Sequence, residues 1–311
     1  MRVLVLGGSG VIGRSLIPLL CRHGHDVLAT GRSSNALEVV RRLGAEPIRA
    51  DGADQAQIVA AIEASGADVL INQMTSLPDA FSNVRSVARA AKVNDRLRGE
   101  TGPVAIDAAT RAGIGRVISQ SVAFACPPSP KVLRGDEPLW VDAPSPFGKA
   151  NTALAALEAA TRQADGIVLR YGAIYGPGTY YGPGGAFTNM IAKRRFPIIG
   201  RGQGVYGFVH LDDVATATVA ALDAEPGTYP IVDDTAVTAA EWLDEAARAL
   251  DAKPPRRLPR WMAVGPAAAL RYIIDDQPSV SNQRAKDQLG WSPSHPSWEP
   301  DLIDSMIASA D

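Results

Sequence analysis

Seven residues near the start of the chain carry the clearest chemical signal. Gly7-Gly8-Ser9-Gly10-Val11-Ile12-Gly13 satisfies both a GxGxxG and a GxxGxxG spacing. Glycines so spaced let a turn close tightly and let backbone N–H groups approach a pyrophosphate. The anion then sits at the positive end of the helix that follows. The spacing alone is weak, because the chain holds 29 glycines and a glycine-rich turn without a ligand is the alternative. Position strengthens it. The motif follows an apolar run at 2–6, opens a helical pattern at 11–23, and lies in a βαβ unit of about 30 residues.

The end of the next strand separates two dinucleotides. NAD sites place an acid there for the ribose 2′-hydroxyl, but this chain reads Thr30-Gly31-Arg32-Ser33-Ser34, and Asp26 lies at the wrong end of the strand. Arg32 can clamp a 2′-phosphate with two N–H groups and stack on adenine, while Ser33 and Ser34 donate to the same group. The competing reading of Arg32 is a surface residue. The expected cofactor is therefore NADP, as NADPH. Asp51 closes a third strand, placed to meet the adenine amino group or to cap the helix behind it.

These groups need a scaffold, and the hydrophobic pattern supplies one. Strands are expected at 2–6, 26–30, 47–50, 68–72, 116–121 and 166–171. Helices are expected at 11–23, 35–43, 55–64, about 81–112 and 147–164. Alternation of near-continuous apolar strands with helices predicts an α/β fold, a doubly wound parallel sheet covered on both faces. Beyond residue 171 the rhythm changes. The stretch 171–185, dense in Gly, Pro and Tyr, is expected to be irregular and mobile, with 180–185 as a lid. A strand at 205–210, a helix from the Asp212-Asp213 pair, a strand at 228–232 and helices at 238–250, 282–289 and 299–309 follow. The expected division is a dinucleotide-binding Rossmann domain over 1–170, with 205–225 returning to it, and a substrate-binding region over 171–204 and 226–311. The loop 127–146 carries six prolines and is expected over a surface or cleft. The basic stretch 253–260 reads as a connector.

Composition excludes several classes. With 311 residues, 46% apolar and 21% charged, the chain is a globular protein of one large or two modest domains. A net charge of −2 argues against nucleic acid. Two cysteines and four scattered histidines offer neither a disulfide framework nor a metal site. No apolar run approaches a membrane span, and no signal segment precedes the first strand, so the cytoplasm is the expected compartment.

With those residues in place, the sequence resembles the extended short-chain dehydrogenase/reductase family, the NAD(P)-dependent epimerase/dehydratase group. The resemblance rests on Gly7–Gly13, Asp51, Ser119-Gln120-Ser121, Leu169-Arg170-Tyr171-Gly172, Tyr175-Gly176-Pro177-Gly178, the 208–214 stretch FVHLDDV and the 282–291 stretch NQRAKDQLGW. It implies cofactor contacts at Gly52, Met74, Thr75, Gln120, Tyr171, Gly172, Ala173 and Ile174, with Met74 and Thr75 flanking the ribose. It also implies a catalytic Ser, Tyr and Lys, the last two spaced YxxxK. Ser121 fits the serine. The YxxxK window falls on Phe147-Gly148-Lys149-Ala150-Asn151, with Phe147 at the tyrosine position and Asn151 at the lysine position. On a helix those two share a face, and Lys149 points elsewhere.

Loss of the tyrosine removes a general acid worth about 10²–10⁴-fold. Holding hydride donor and acceptor in near-attack geometry supplies about 7–11 kcal/mol, so hydride transfer survives when the substrate brings its own proton. The function expected is an NADPH-dependent ketoreductase on a bulky small molecule of aromatic polyketide type. Ser121 would hold the carbonyl oxygen, and Phe147, Tyr175, Tyr180, Tyr181 and Tyr206 would line the substrate cleft. A non-catalytic NADP-binding sensor and a nucleotide-sugar epimerase or dehydratase are the alternatives. The partner is a small molecule, the assembly a monomer or homodimer.

Overall fold

A computed structural model of the chain describes residues 1–78, 84–263, 270–299 and 301–307. Seven strands form one parallel sheet: β1 (Arg2–Leu6), β2 (Asp26–Gly31), β3 (Glu46–Arg49), β4 (Val69–Asn72), β5 (Arg116–Val122), β6 (Ile167–Tyr171) and β10 (Gly227–Ile231). Their order is β10-β6-β5-β4-β1-β2-β3. The chain winds outward from β1 in one direction and from β4 in the other. Between those two strands the connecting loops part, and doubly wound sheets bind ligands at such a point.

The inner strands are buried on both sides, as their apolar runs predict, while the edge strand β3 is only half-buried. Side chains alternate along a strand. Val3 and Val5 therefore join one core, with Leu16, Ile17 and Leu20 of α1 (Val11–Arg22) and Val214 of α8 (Leu211–Ala220). Leu4 and Leu6 join the opposite core, with Ile58 and Ile62 of α3 (Gln55–Ser65), Ile106 of α5 (Gly102–Arg111) and Leu157 of α6 (Phe147–Gln163). Apart from the helix expected over 81–112, the expected elements of the first half are found within a residue or two.

The long helix expected over 81–112 is not continuous. Its start at 81 falls outside the described residues. From α4 (Val84–Arg96) the backbone widens into a π-helical turn, Leu97–Thr101, before α5. Pro103, in the first turn of α5, lacks an N–H and would crowd the carbonyl four residues back. A single-turn π bulge accommodates that defect.

The stretch expected to be irregular and mobile is largely packed. β7 (Ala173–Tyr175) pairs in parallel with β9 (Val205–His210), and β11 (Ala236–Thr238) pairs antiparallel with β9. Around them, Tyr175, Tyr181, Phe196, Tyr206, Phe208, Trp242 and Trp298 bury their rings in a second core, with α9 (Ala239–Ala249) behind. Over 176–185 the backbone keeps the irregular turns its glycines predict, while the rings of Tyr175 and Tyr181 pack into the core. The connector 253–260 is likewise pinned: β12 (Arg257–Leu258) pairs with β8 (Ile198–Ile199), and Arg260 reaches Asp275 and Asp276. β10, inside the 226–311 stretch expected on the substrate side, is instead the edge strand of the main sheet. Among the described residues no helix is long and apolar enough to cross a membrane.

Candidate active site

The glycine motif builds a cradle that side chains would fill. Gly7 has φ of +82°, and a Cβ there would stand 3.0 Å from the Gln73 carbonyl oxygen. A Cβ on Gly8 would meet the Ala29 Cβ at 2.5 Å, and one on Gly13 the Gly8 carbonyl at 2.2 Å. The turn is closed by Gly10 N donating to Gly7 O at 3.0 Å and by Gly7 N donating to Thr30 Oγ1 at 3.0 Å. Gly10 caps α1 with no side-chain oxygen, and no acid sits in the first turn. The N–H groups at Val11, Ile12 and Gly13 therefore keep the donors and positive potential that a pyrophosphate requires. Ser9 shares this rim, its carbonyl accepting from Arg14 Nε at 3.1 Å.

The end of β2, where the sequence predicts a 2′-phosphate contact, holds a second cation that sequence reading missed. Gly31 of β2 stands in register with Arg49 of β3. Arg49 donates to the Ser34 hydroxyl at 3.1 Å and to the Arg32 carbonyl at 3.5 Å, so its guanidinium lies against the backbone of the 32–34 turn. Ser33 caps α2 (Ser34–Arg42), accepting from Ala36 N at 3.2 Å, which leaves its proton free to donate. The available signal was strand pairing: an arginine at the end of β3 lies beside the end of β2 whenever the two run parallel. Asp51 does not cap α3, a place taken by Asp54; it accepts from Ala53 N in the preceding turn. Gly52 lies close enough to Met74 that an added Cβ would stand 3.0 Å from the Met74 sulfur. Gln120 is buried and donates to the Met74 carbonyl at 3.0 Å, tying β5 to the end of β4. Thr75, next in the chain, is exposed.

Toward the reaction end, the structure departs from the sequence expectation at Ser121. The residue is 1% exposed, and its hydroxyl donates to Glu158 Oε1 at 2.7 Å. Glu158, from α6, also takes Arg170 Nε and Nη2 at 2.8 and 2.7 Å, and Arg162 Nη1 at 3.1 Å. Burial would push this carboxyl up, but Arg170, Ser121 and Arg162 together hold it below the usual glutamate range. A buried carboxylate is a stronger acceptor than a ketone oxygen. The proton expected for a carbonyl is thus engaged by the ion pair.

Phe147 and Asn151 do share a face of α6. The Phe147 ring packs 5.0 Å from Tyr272 and 6.5 Å from Trp140, centroid to centroid. Asn151 is 1% exposed and donates to the Trp140 carbonyl at 2.9 Å, while Lys149 is exposed. The proline-rich loop that contributes Trp140 also wraps Arg170, whose Nη1 donates to the carbonyls of Gly135 and Glu137.

The tyrosines expected in the cleft divide. Tyr171 sits in the sheet core with its hydroxyl between Gln73 and Thr218, and burial pushes it up to about 12. Tyr175, Tyr181 and Tyr206 belong to the aromatic core, not to a cleft surface, because their rings gain more from burial against Phe208 and Trp242 than from facing solvent. Only Tyr180 is half-buried, donating to the Pro78 carbonyl at 2.6 Å. The expected lid thus has Tyr181 inside it. Gly172 has a packing reason, since a Cβ there would meet Gly207 O at 2.3 Å. Ala173 is buried in β7 and Ile174 half-buried beside it. His210 caps α8, its Nδ1 accepting from Asp212 N at 3.3 Å.

Comparison with known proteins agrees with this crevice. Residues 3–231 match the NAD dependent epimerase/dehydratase family. A "3-diazoavenalumate denitrifying reductase" of Streptomyces is 37% identical, over 97% of this chain and 99% of that protein. A "4-hydroxy-2-methyl-3-oxo-4-farnesyl-3,4-dihydroquinoline-1-oxide ketoreductase" of Stigmatella aurantiaca is 26% identical, over 94% and 92%. Among solved structures, the dTDP-glucose 4,6-dehydratase of Streptomyces venezuelae, with NAD and TYD bound, superimposes with a TM-score of 0.74 at 20% identity, covering 98% of this chain and 95% of that one.

Proposed function

The chain belongs to the NAD dependent epimerase/dehydratase family, and from that premise we propose an NADPH-dependent reductase of an aromatic small molecule that receives no proton from the protein. One observation carries this reading: the tyrosine and lysine positions of α6 hold Phe147 and Asn151, the first packed at a tilt against aromatic rings and the second bonded to a carbonyl. Bound nicotinamide supplies hydride. The glycine cradle holds the pyrophosphate, while Arg32, Arg49, Ser33 and Ser34 hold the 2′-phosphate. Phe147, Trp140 and Tyr272 form a tilted aromatic cluster against which a substrate ring would pack.

The acceptor that fits best is an aromatic diazo group. In diazonium form the balance is closed without an acid: a C–H bond forms with the hydride pair, the C–N bond breaks, and its electrons leave in dinitrogen. The similarity to a denitrifying reductase over nearly both whole chains favours this acceptor. A ketone beside a phenol is the second reading, favoured by the ketoreductase relative. There hydride adds to the carbonyl carbon, and the oxygen takes the phenol's proton, which water restores. Ser121 would not donate to the acceptor in either case, since its hydroxyl already donates to Glu158.

The test is NADPH consumption with an aryl diazonium acid and with a 2-hydroxyaryl ketone, using cofactor deuterated at the transferred position. Deuterium on the former C–N carbon, with dinitrogen released, supports the first reading; deuterium on a carbinol carbon supports the second. Tight NADPH binding with neither compound reduced would favour a sensor and overturn both.

A further inference from the structure

The π-helical turn between α4 and α5 carries an arginine that the cofactor reading leaves unused. Arg98 is 9% exposed, yet its guanidinium makes no hydrogen bond and no ion pair within 4.0 Å among the described residues, and its Nε is buried without any partner. Three positions on, the Thr101 hydroxyl is fully buried and also lacks a partner. Native proteins rarely leave such groups unmatched, and an unmatched pair on one turn points to an absent ligand. Single π turns inside α-helices are frequent at functional sites.

The position of the turn indicates which ligand. Leu97, beside Arg98, borders Gly52 on the adenosine side of the crevice, where an added Cβ would lie 3.0 Å from Leu97 Cδ2. Gly99, on its other side, meets α6: a Cβ on Gly99 would stand 3.2 Å from the Ala153 Cβ. Ala153 is two residues beyond Asn151. The turn bearing Arg98 is therefore wedged between the cofactor crevice and the helix that lacks the lysine. Asp95, a turn earlier, is half-buried and feels both Lys149 of α6 and Arg98. Asn94 accepts from Ser76 N at 3.1 Å, which ties the same helix to the loop after β4.

We infer that Arg98 binds an anionic oxygen of the aromatic substrate, a phenolate or a carboxylate, from the turn between α4 and α5. Guanidinium suits this role because its planar fork matches oxygen pairs and its charge persists when buried. Burial lowers Arg98 only to about 10, so it stays charged at neutral pH. The inference rests on the reductase reading for the identity of the ligand as substrate.

The test is calorimetry on the full chain loaded with NADP⁺, titrating benzoate against benzamide and 4-nitrophenolate against 4-nitroanisole. The wild type should prefer at least one anion over its neutral partner by about tenfold or more, and R98M should abolish that preference. R98K keeps the charge but not the fork; it should weaken anion binding by roughly tenfold and leave NADP⁺ affinity within about twofold. Benzoate preference alone assigns a carboxylate, nitrophenolate preference alone a phenolate. The inference is overturned if the wild type shows no preference, if R98M retains it, or if R98K loses NADP⁺ affinity as much as anion affinity, which would give Arg98 to the cofactor. Should R98M not fold, the R98K result decides. Anion preference that depends on Arg98, without NADPH oxidation on any acceptor, would instead retire the reductase reading and leave the anion site standing.

Discussion

Ser121 Oγ donates its only proton to Glu158 Oε1, 2.7 Å away and 37 positions along the chain. The bond joins the end of β5 to the middle of α6 beneath the proposed reaction centre. It makes Ser121 part of a buried ion-pair network with Arg170, and that network decides how the serine can act.

Replacing Ser121 with alanine should therefore cost stability more than rate. Glu158 would lose one donor but keep both arginines, for a loss of about 1.5–3 kcal/mol, the usual worth of a hydrogen bond to a charged group. Denaturant unfolding measures this. NADPH turnover on the preferred acceptor should change by less than about tenfold; a fall of roughly 10²–10³-fold would return the serine to an oxyanion role.

Restoring the family pair by Phe147→Tyr with Asn151→Lys should raise turnover by less than about tenfold when the substrate needs no protein acid. A gain of about 10²-fold or more, the weight of general-acid catalysis, would mean the site is an impaired member of the usual mechanism. Steady-state rates with both acceptor classes distinguish these outcomes.

Arg32→Ala and Arg49→Ala should each weaken NADPH by about 10–100-fold, from the loss of charge-assisted bonds. NADH affinity should be nearly unchanged, because it lacks the 2′-phosphate. Fluorescence titration of both dinucleotides checks this, and equal losses for the two would remove the case for NADP.

Asp233 gives a prediction in pH. It is 5% exposed, neither carboxylate oxygen has a partner, and burial followed by Asp234 and Asp213 pushes it up from 3.8 to about 9. The unfolded chain releases this proton near 3.8 and the folded one only near 9, so between those values the unfolded state binds fewer protons. Stability attributable to this residue is thus greatest in acid and falls as pH rises through that window. Asp233→Asn should raise the melting temperature by more at pH 8 than at pH 5. An equal shift at both values would contradict the assignment.

Much of this molecule is readable from neighbouring residues alone. The apolar runs of β1 to β6, the helices between them and the glycine turn all follow from local periodicity and from what a backbone needs near a phosphate. The substitutions Phe147 and Asn151 were equally visible, since a motif is a matter of spacing. What spacing cannot convey is which donor meets which acceptor. Arg49 reached the end of β2 through strand register. Tyr175, Tyr181 and Tyr206 turned inward because Trp242, far along the chain, completes an aromatic core. Ser121 lost its expected partner to Glu158, and Arg98 was left without one by a π turn that Pro103 imposes. Periodicity is set by residues a few positions apart. The pairing of buried polar groups is set by desolvation among residues that only the folded chain brings together.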